Sequence, residues 1–195
     1  MSKQNSGSDK PRPRPHAERG AADRVSIYVV RHANAVARGA WPGSDVLRPL
    51  NDRGHRQARA LVDHFDTGPG DRGPHTRASC VLPKPTLLMS SRAERCLATL
   101  QPLAHACGLP IIAAEFLSEG SAADNFLVQV KELAATAGVP VLCTHGDVVW
   151  SLVDVLSAAG TRFASPVDVK KGSILILETE SGSVESVRYI PPDKV

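Results

Sequence analysis

Short apolar runs alternate along this chain with longer stretches of helical periodicity, and that alternation leaves few folds open. Residues 25–30 (VSIYVV), 86–91 (TLLMSS), 111–115 (IIAAE), 139–144 (VPVLCT), 173–178 (SILILE) and 184–190 (VESVRYI) read as strands. Helices are expected at 54–65, with Ala58, Leu61, Val62 and Phe65 on one face, and at 93–107, stopped by Gly108 and Pro110. Two more are expected at 122–137, ended by Gly138, and at 147–159, closed by Gly160. Strands too apolar to keep a wet face, each followed by a helix, assemble as a mostly parallel sheet covered on both sides. TESGS, between the last two runs, reads as a hairpin turn and brings in an antiparallel strand at one edge. The expected fold is therefore α/β: a single-domain, three-layer α/β/α sandwich.

A chain of 195 residues holds one such domain comfortably, and two only with difficulty. Aromatic residues are 4%, so Leu, Val, Ile and Ala must build the core. The formal net charge is +3, and residues 1–24 carry all of it, with six cations (Lys3, Lys10, Arg12, Arg14, Arg19, Arg24) against three carboxylates (Asp9, Glu18, Asp23). A nucleic-acid-binding fold carries its basic charge on the folded part. Here residues 25–195 are formally neutral, so nucleic acid is not the expected partner. The tail is rich in Pro, Arg, Ser and Gly and has no apolar run, so a disordered, solvated leader at 1–24 and a domain at 25–195 are expected. No segment has the apolar length of a membrane span. Cys80, Cys96, Cys107 and Cys143 form no C-x-x-C pair and no zinc spacing with histidine. With no export signal, reduced thiols in the cytoplasm fit best. Cys143, inside an apolar run, reads as a small core residue. Residues 66–85, crowded with Gly and Pro, read as one long loop.

In open α/β sheets, ligands bind beyond the carboxyl ends of the strands. Arg31 and His32 follow the first run. Ser90, Ser91, Arg92 and Arg95 close or follow the second, Glu115 and Glu119 the third, and His145 and Gly146 the fourth. That set suits phosphoryl transfer through histidine. A neutral imidazole is a competent nucleophile near neutral pH. Guanidinium forks match the charged equatorial oxygens of phosphorus in flight, and a second histidine adds a donor. A carboxyl group can protonate the departing oxygen. The arginines supply the positive charge, so neither metal nor cofactor is expected.

These residues carry a resemblance to a known family. VVRHANA is similar to the strand and Arg-His motif of the histidine phosphatase superfamily, also called phosphoglycerate-mutase-like. SSRAERCLAT is similar to its Ser-Ser-x-x-x-Arg-x-x-x-Thr, which points to Arg95 rather than Arg92, and VLCTHGDVVWSLVDVL looks like its second-histidine strand and helix. The resemblance covers residues 25–195 and implies that His32 is phosphorylated in turnover, with Arg31, Arg95 and His145 on the phosphate. EFLSEG falls where the family keeps its acid, suggesting Glu119, with Glu115 close by. WPGSDVLRPLNDRGHRQA and KKGSILILE look most like the small SixA-type phosphohistidine phosphatases and the related domain fused to MutT-type Nudix hydrolases. Arg48 lies in that stretch as a pocket residue or a loop-fixing ion pair, and Asn34, just past the histidine, is a further substrate-binding candidate. With neither a Nudix box nor mutase-type insertions in the sequence, a stand-alone phosphatase domain is expected. Its substrate would be a phosphomonoester, a nucleotide or a protein phosphohistidine. The alternative is a non-catalytic, phosphate-binding regulatory domain.

Overall fold

The computed structural model describes residues 24–68, 82–136 and 138–192. The expected tail, apart from Arg24, and most of the 66–85 loop lie outside the described residues, as does Cys80. Seven strands form one sheet in the order β3-β2-β4-β1-β6-β7-β5. They are β1 (Arg24–Arg31), β2 (Leu87–Ser90), β3 (Ile111–Ala113), β4 (Pro140–Thr144), β5 (Arg162–Phe163), β6 (Ile174–Glu180) and β7 (Ser183–Ile190). The helices are α1 (Asp52–Ala60), α2 (Glu94–Cys107), α3 (Ala123–Ala134) and α4 (Gly146–Ala158).

Side-chain alternation along β1 divides the core. Ile27 and Val29 join Leu142, Leu175 and Leu177 under α3 and α4. Tyr28 and Val30 join Leu88, Val141, Cys143 and Ile176 under the segment after α1 and under α2. These strands are buried on both faces, which is why they read as continuous apolar runs. The three-layer architecture expected from the alternation is present.

Local signals set the helix limits. Asn51 caps α1, its side chain accepting from Gly54 N at 2.9 Å, so the helix starts slightly earlier than expected. Gly108, at φ 68°, ends α2 in the left-handed region. Pro102 lies inside α2, which continues through it at the loss of one backbone hydrogen bond.

The strand that runs against the rest is β6, which pairs antiparallel with both β1 and β7. It lies two places in from the edge, because β7 and then the two-residue β5 continue the sheet beyond it. Ser181 and Gly182, with φ of 52° and 81°, make the tight turn between β6 and β7.

Register brings the site together. Arg31 pairs with Thr144, and Ser90 with Cys143, so β1, β2 and β4 end level with one another. The helices following β1 and β2 cover one face and those flanking β4 the other, which opens a crevice above the ends of β1 and β4. Among the described residues, no helix is long and apolar enough to cross a membrane.

Candidate active site

A cleft of about 400 Å³ opens above that crevice, lined by Arg31, His32, Arg48, Arg95, Glu119, His145, Gly146, Asp147, Trp150 and Lys171. His32 leaves β1 with its backbone N–H donating to Thr144 O at 2.9 Å. Its Nδ1 lies 2.8 Å from Ala33 O, an acceptor, so the ring proton sits on Nδ1 and Nε2 keeps its lone pair. Burial, then the charges of His145, Arg95 and Arg31, push its pKa down to about 3, although the Ala33 carbonyl favours the cation. The imidazole is thus neutral at physiological pH and oriented as a nucleophile.

Arg95, in the first turn of α2, is 2% exposed. Its Nη1 donates to Asp45 O at 2.8 Å and pairs with Asp45 Oδ2 at 3.1 Å. Its Nη2 donates to Glu119 Oε2 at 2.8 Å and to His145 Nδ1 at 3.2 Å. A guanidinium only donates, so His145 Nδ1 accepts and its Nε2–H donates to Ser91 Oγ at 2.9 Å. Ser91 also accepts from Ala93 N, coupling the ring to the start of α2. Thr99 performs a parallel task for the nucleophile's loop. Its Oγ1 accepts from Ala33 N at 2.9 Å and donates to Arg95 O at 2.6 Å.

Arg31 donates through Nη1 to Val169 O. Its guanidinium packs on Gly146, where a Cβ would lie 2.7 Å from Cζ, Nε and Nη2, so any side chain there would displace it. Arg31 Nε and Arg95 Nε are buried and have no hydrogen-bond partner among the described residues. An anion in the cleft offsets the cost of such cationic donors. Gly146 also opens α4, whose N-terminus adds positive potential.

Arg38 and Asp45, which the sequence reading left out, complete the network. Arg38 holds Glu119 Oε1 at 3.2 Å and Asp45 Oδ1 at 3.0 Å. Arg48 donates to Asp45 Oδ1 and to Val36 O, both at 2.8 Å, and lines the cleft as well. Burial pushes the Asp45 carboxyl up, but Arg48, Arg95 and Arg38 together hold it below the ordinary range. Glu119 reaches the cleft, whereas Glu115 starts a short 3-10 turn and is absent from the cleft wall. The loop carrying Glu119 is tied down by Gly120 N donating to Asp147 Oδ2 at 2.7 Å. Asn34 is not brought into the cleft wall. Its amide donates to Gln57 Oε1 at 2.8 Å, and Gly54 packs so closely on it that a Cβ would lie 1.9 Å from Asn34 O. Lys171, Asp147 and Trp150 had no local signal beyond lying near strand ends or on a helix.

Residues 27–125 match the family model described as Histidine phosphatase superfamily (branch 1). A curated relative from Mycolicibacterium smegmatis, named 8-oxo-(d)GTP phosphatase, is 30% identical over 176 residues, covering 88% of this chain. The chain spans about half the length of that relative, 50%. Among solved structures, a protein histidine phosphatase SixA complexed with tungstate aligns with TM-score 0.61 at 16% identity, over 86% of this chain and 95% of that one. A candidate SixA phosphohistidine phosphatase from Agrobacterium tumefaciens aligns with TM-score 0.58 at 21% identity, over 86% and 97%. At those identities the two structures speak for the fold.

Proposed function

Because the chain belongs to the histidine phosphatase superfamily, we propose that it hydrolyses a terminal phosphoryl group through a phosphohistidine formed on His32. The observation that carries this reading is the His32 ring itself. It is held by its own Nδ1–H and kept neutral by burial, in a cleft that four cations line against two carboxylates.

Phosphate oxygens dock on Arg31, Arg95 and His145, taking the place of Glu119 on Arg95 Nη2. His32 Nε2 attacks in line, so an N–P bond forms as the P–O bond to the leaving group breaks. Glu119, released from Arg95, takes up a proton from solvent and gives it to the departing oxygen. Water then attacks the phosphohistidine with Glu119 taking its proton, and inorganic phosphate leaves. The fixed guanidinium donors meet the developing charge without reorganising. The relatives' names span nucleotide and phosphohistidine substrates, and the same centre serves either. Cys96, Cys107 and Cys143 are free thiols, which suits a reducing cytoplasm.

The test is hydrolysis of p-nitrophenyl phosphate with a chelator present, by the intact chain and by His32→Ala. Activity that survives the chelator, is lost with His32 and leaves a trappable phosphohistidine is expected. Comparable rates from the two proteins would refute the mechanism. Phosphate binding without turnover would make the chain a phosphate-binding domain.

A further inference from the structure

Two groups in the cleft wall have no part in that phosphoryl chemistry. Trp150 lies one helical turn after Gly146 on the same face of α4, about 6 Å further along the helix axis. It is 46% exposed in a chain with few aromatic residues, so much of its surface is left uncovered where it lines the cleft. Lys171 is half-buried in the same cleft, and among the described residues no carboxylate pairs with it. The nearest cleft acids are engaged elsewhere, Glu119 by Arg95 and Arg38 and Asp147 by Gly120 N. Burial first, then the charges of Arg31, Arg48 and Arg95, push the Lys171 ammonium's pKa down, so the structure places a cation where it is disfavoured until an anion arrives.

Arg31 links the two positions. Its guanidinium lies on Gly146 and bonds Val169 O. Trp150 is one turn beyond the first contact, and Lys171 two residues beyond the second, and both line the cleft with Arg31. Gly120 bonded to Asp147 brings the Glu119 loop to the same helix. Glu119 and Trp150 therefore line one cleft, and the loop of the acid is tied to the helix that carries the indole.

We propose that the cleft takes the terminal phosphoryl group of a nucleoside di- or triphosphate, with the base stacked on Trp150 and the next phosphate paired with Lys171. This rests on the phosphatase reading above and narrows it to one substrate class. Base–aromatic stacking and a desolvated charge pair are each worth roughly tenfold in affinity. A sugar phosphate offers no aromatic ring to the indole, and a protein phosphohistidine offers no second phosphate to the lysine. For a diphosphate, the N–P bond to His32 forms as the P–O–P bridge breaks. The nucleoside monophosphate leaves, and water releases inorganic phosphate.

The experiment measures kcat/KM of the intact chain, Trp150→Ala and Lys171→Ala on GDP, GMP and β-glycerol phosphate, with a phosphohistidine-bearing protein as a fourth substrate. The intact chain is expected to favour GDP over GMP, and both over β-glycerol phosphate. Trp150→Ala should lower the GDP to β-glycerol phosphate ratio roughly tenfold, chiefly through KM. Lys171→Ala should lower the GDP to GMP ratio by about as much. Equal losses on all substrates, or a preference for the phosphohistidine protein, would overturn the substrate class while leaving the phosphatase standing. GDP hydrolysis undiminished in His32→Ala, or no hydrolysis of any substrate by the intact chain, would overturn both.

Discussion

Replacing His32 by a side chain that cannot titrate isolates one proton's contribution to stability. The folded imidazole has its pKa lowered to about 3, against an ordinary value of 6.5. Above pH 6.5 the ring is neutral in both the folded and the unfolded chain, and the group gives no pH dependence. Between pH 6.5 and 3 the unfolded chain binds a proton that the folded chain refuses, so stability falls as the pH falls, by about 1.4 kcal/mol per unit. At pH 4.5, two units below the ordinary value, the cost is about 2.7 kcal/mol. His32→Gln removes that cost. The stability of the variant relative to the intact chain should therefore rise by about 2.7 kcal/mol between pH 7.5 and pH 4.5. Carboxylates titrate in both proteins and cancel in the difference. The assay is urea unfolding followed by circular dichroism at the two pH values, in phosphate-free buffer, because an anion bound to the folded state adds its own linkage. Differences that stay constant across the two pH values would refute the argument. They would mean that folded His32 accepts its proton near the ordinary pKa, and that burial does not hold the nucleophile neutral.

Two further substitutions test how the site is held. Gly146→Ala puts a Cβ 2.7 Å from the Arg31 guanidinium. The far end of that side chain gives way rather than the helix, so kcat/KM should fall by about 10- to 100-fold with little change in melting temperature, and wild-type kinetics would show that Arg31 does not hold phosphate. Thr99→Val keeps the volume but strips the buried Ala33 N–H of its acceptor. Urea unfolding should show a loss of about 1–3 kcal/mol, and an unchanged midpoint would mean that this hydrogen bond contributes nothing.

What was legible in the sequence follows from the range of each signal. Arg31, His32 and His145 stand within two residues of a strand's carboxyl end, so finding the strand finds the residue. Arg95 lies in the first turn of the helix after β2, and the resemblance of SSRAERCLAT to the family's motif points to it. Asn34 shows where proximity in sequence misleads. Two residues past His32 the chain has turned away, drawn against Gly54 and Gln57, and its amide is spent on α1. Arg38 and Asp45 reach the cleft residues Glu119 and Arg95 from a loop of short 3-10 turns whose path depends on the ion pairs it makes. No periodicity announces such a path. Strand β5 is two residues long and exists by pairing with β7, so it leaves no pattern to read.

Two acids, Glu119 expected from the sequence and Asp45 missed there, explain how three arginines share one cleft. Bare guanidinium groups there would repel one another and swing towards solvent. Each is instead tied to acceptors: Arg31 to Val169 O, Arg48 to Val36 O and Asp45, Arg95 to Asp45 and Glu119. Asp45 alone restrains Arg38, Arg48 and Arg95. Two kinds of tie have different consequences. A backbone carbonyl cannot leave, so Arg31 and Arg48 are fixed whether or not phosphate is bound. The Glu119 carboxylate is half exposed, at 47%, and can yield its place on Arg95 to a phosphate oxygen. Exchanging one anion for another on a guanidinium that is already desolvated requires little reorganisation, which is the condition under which fixed charges accelerate a reaction most. The same exchange turns Glu119 from a partner of Arg95 into a carboxyl group whose remaining ion pair is with the exposed Arg38. The acid is thereby delivered by the arrival of the substrate it serves.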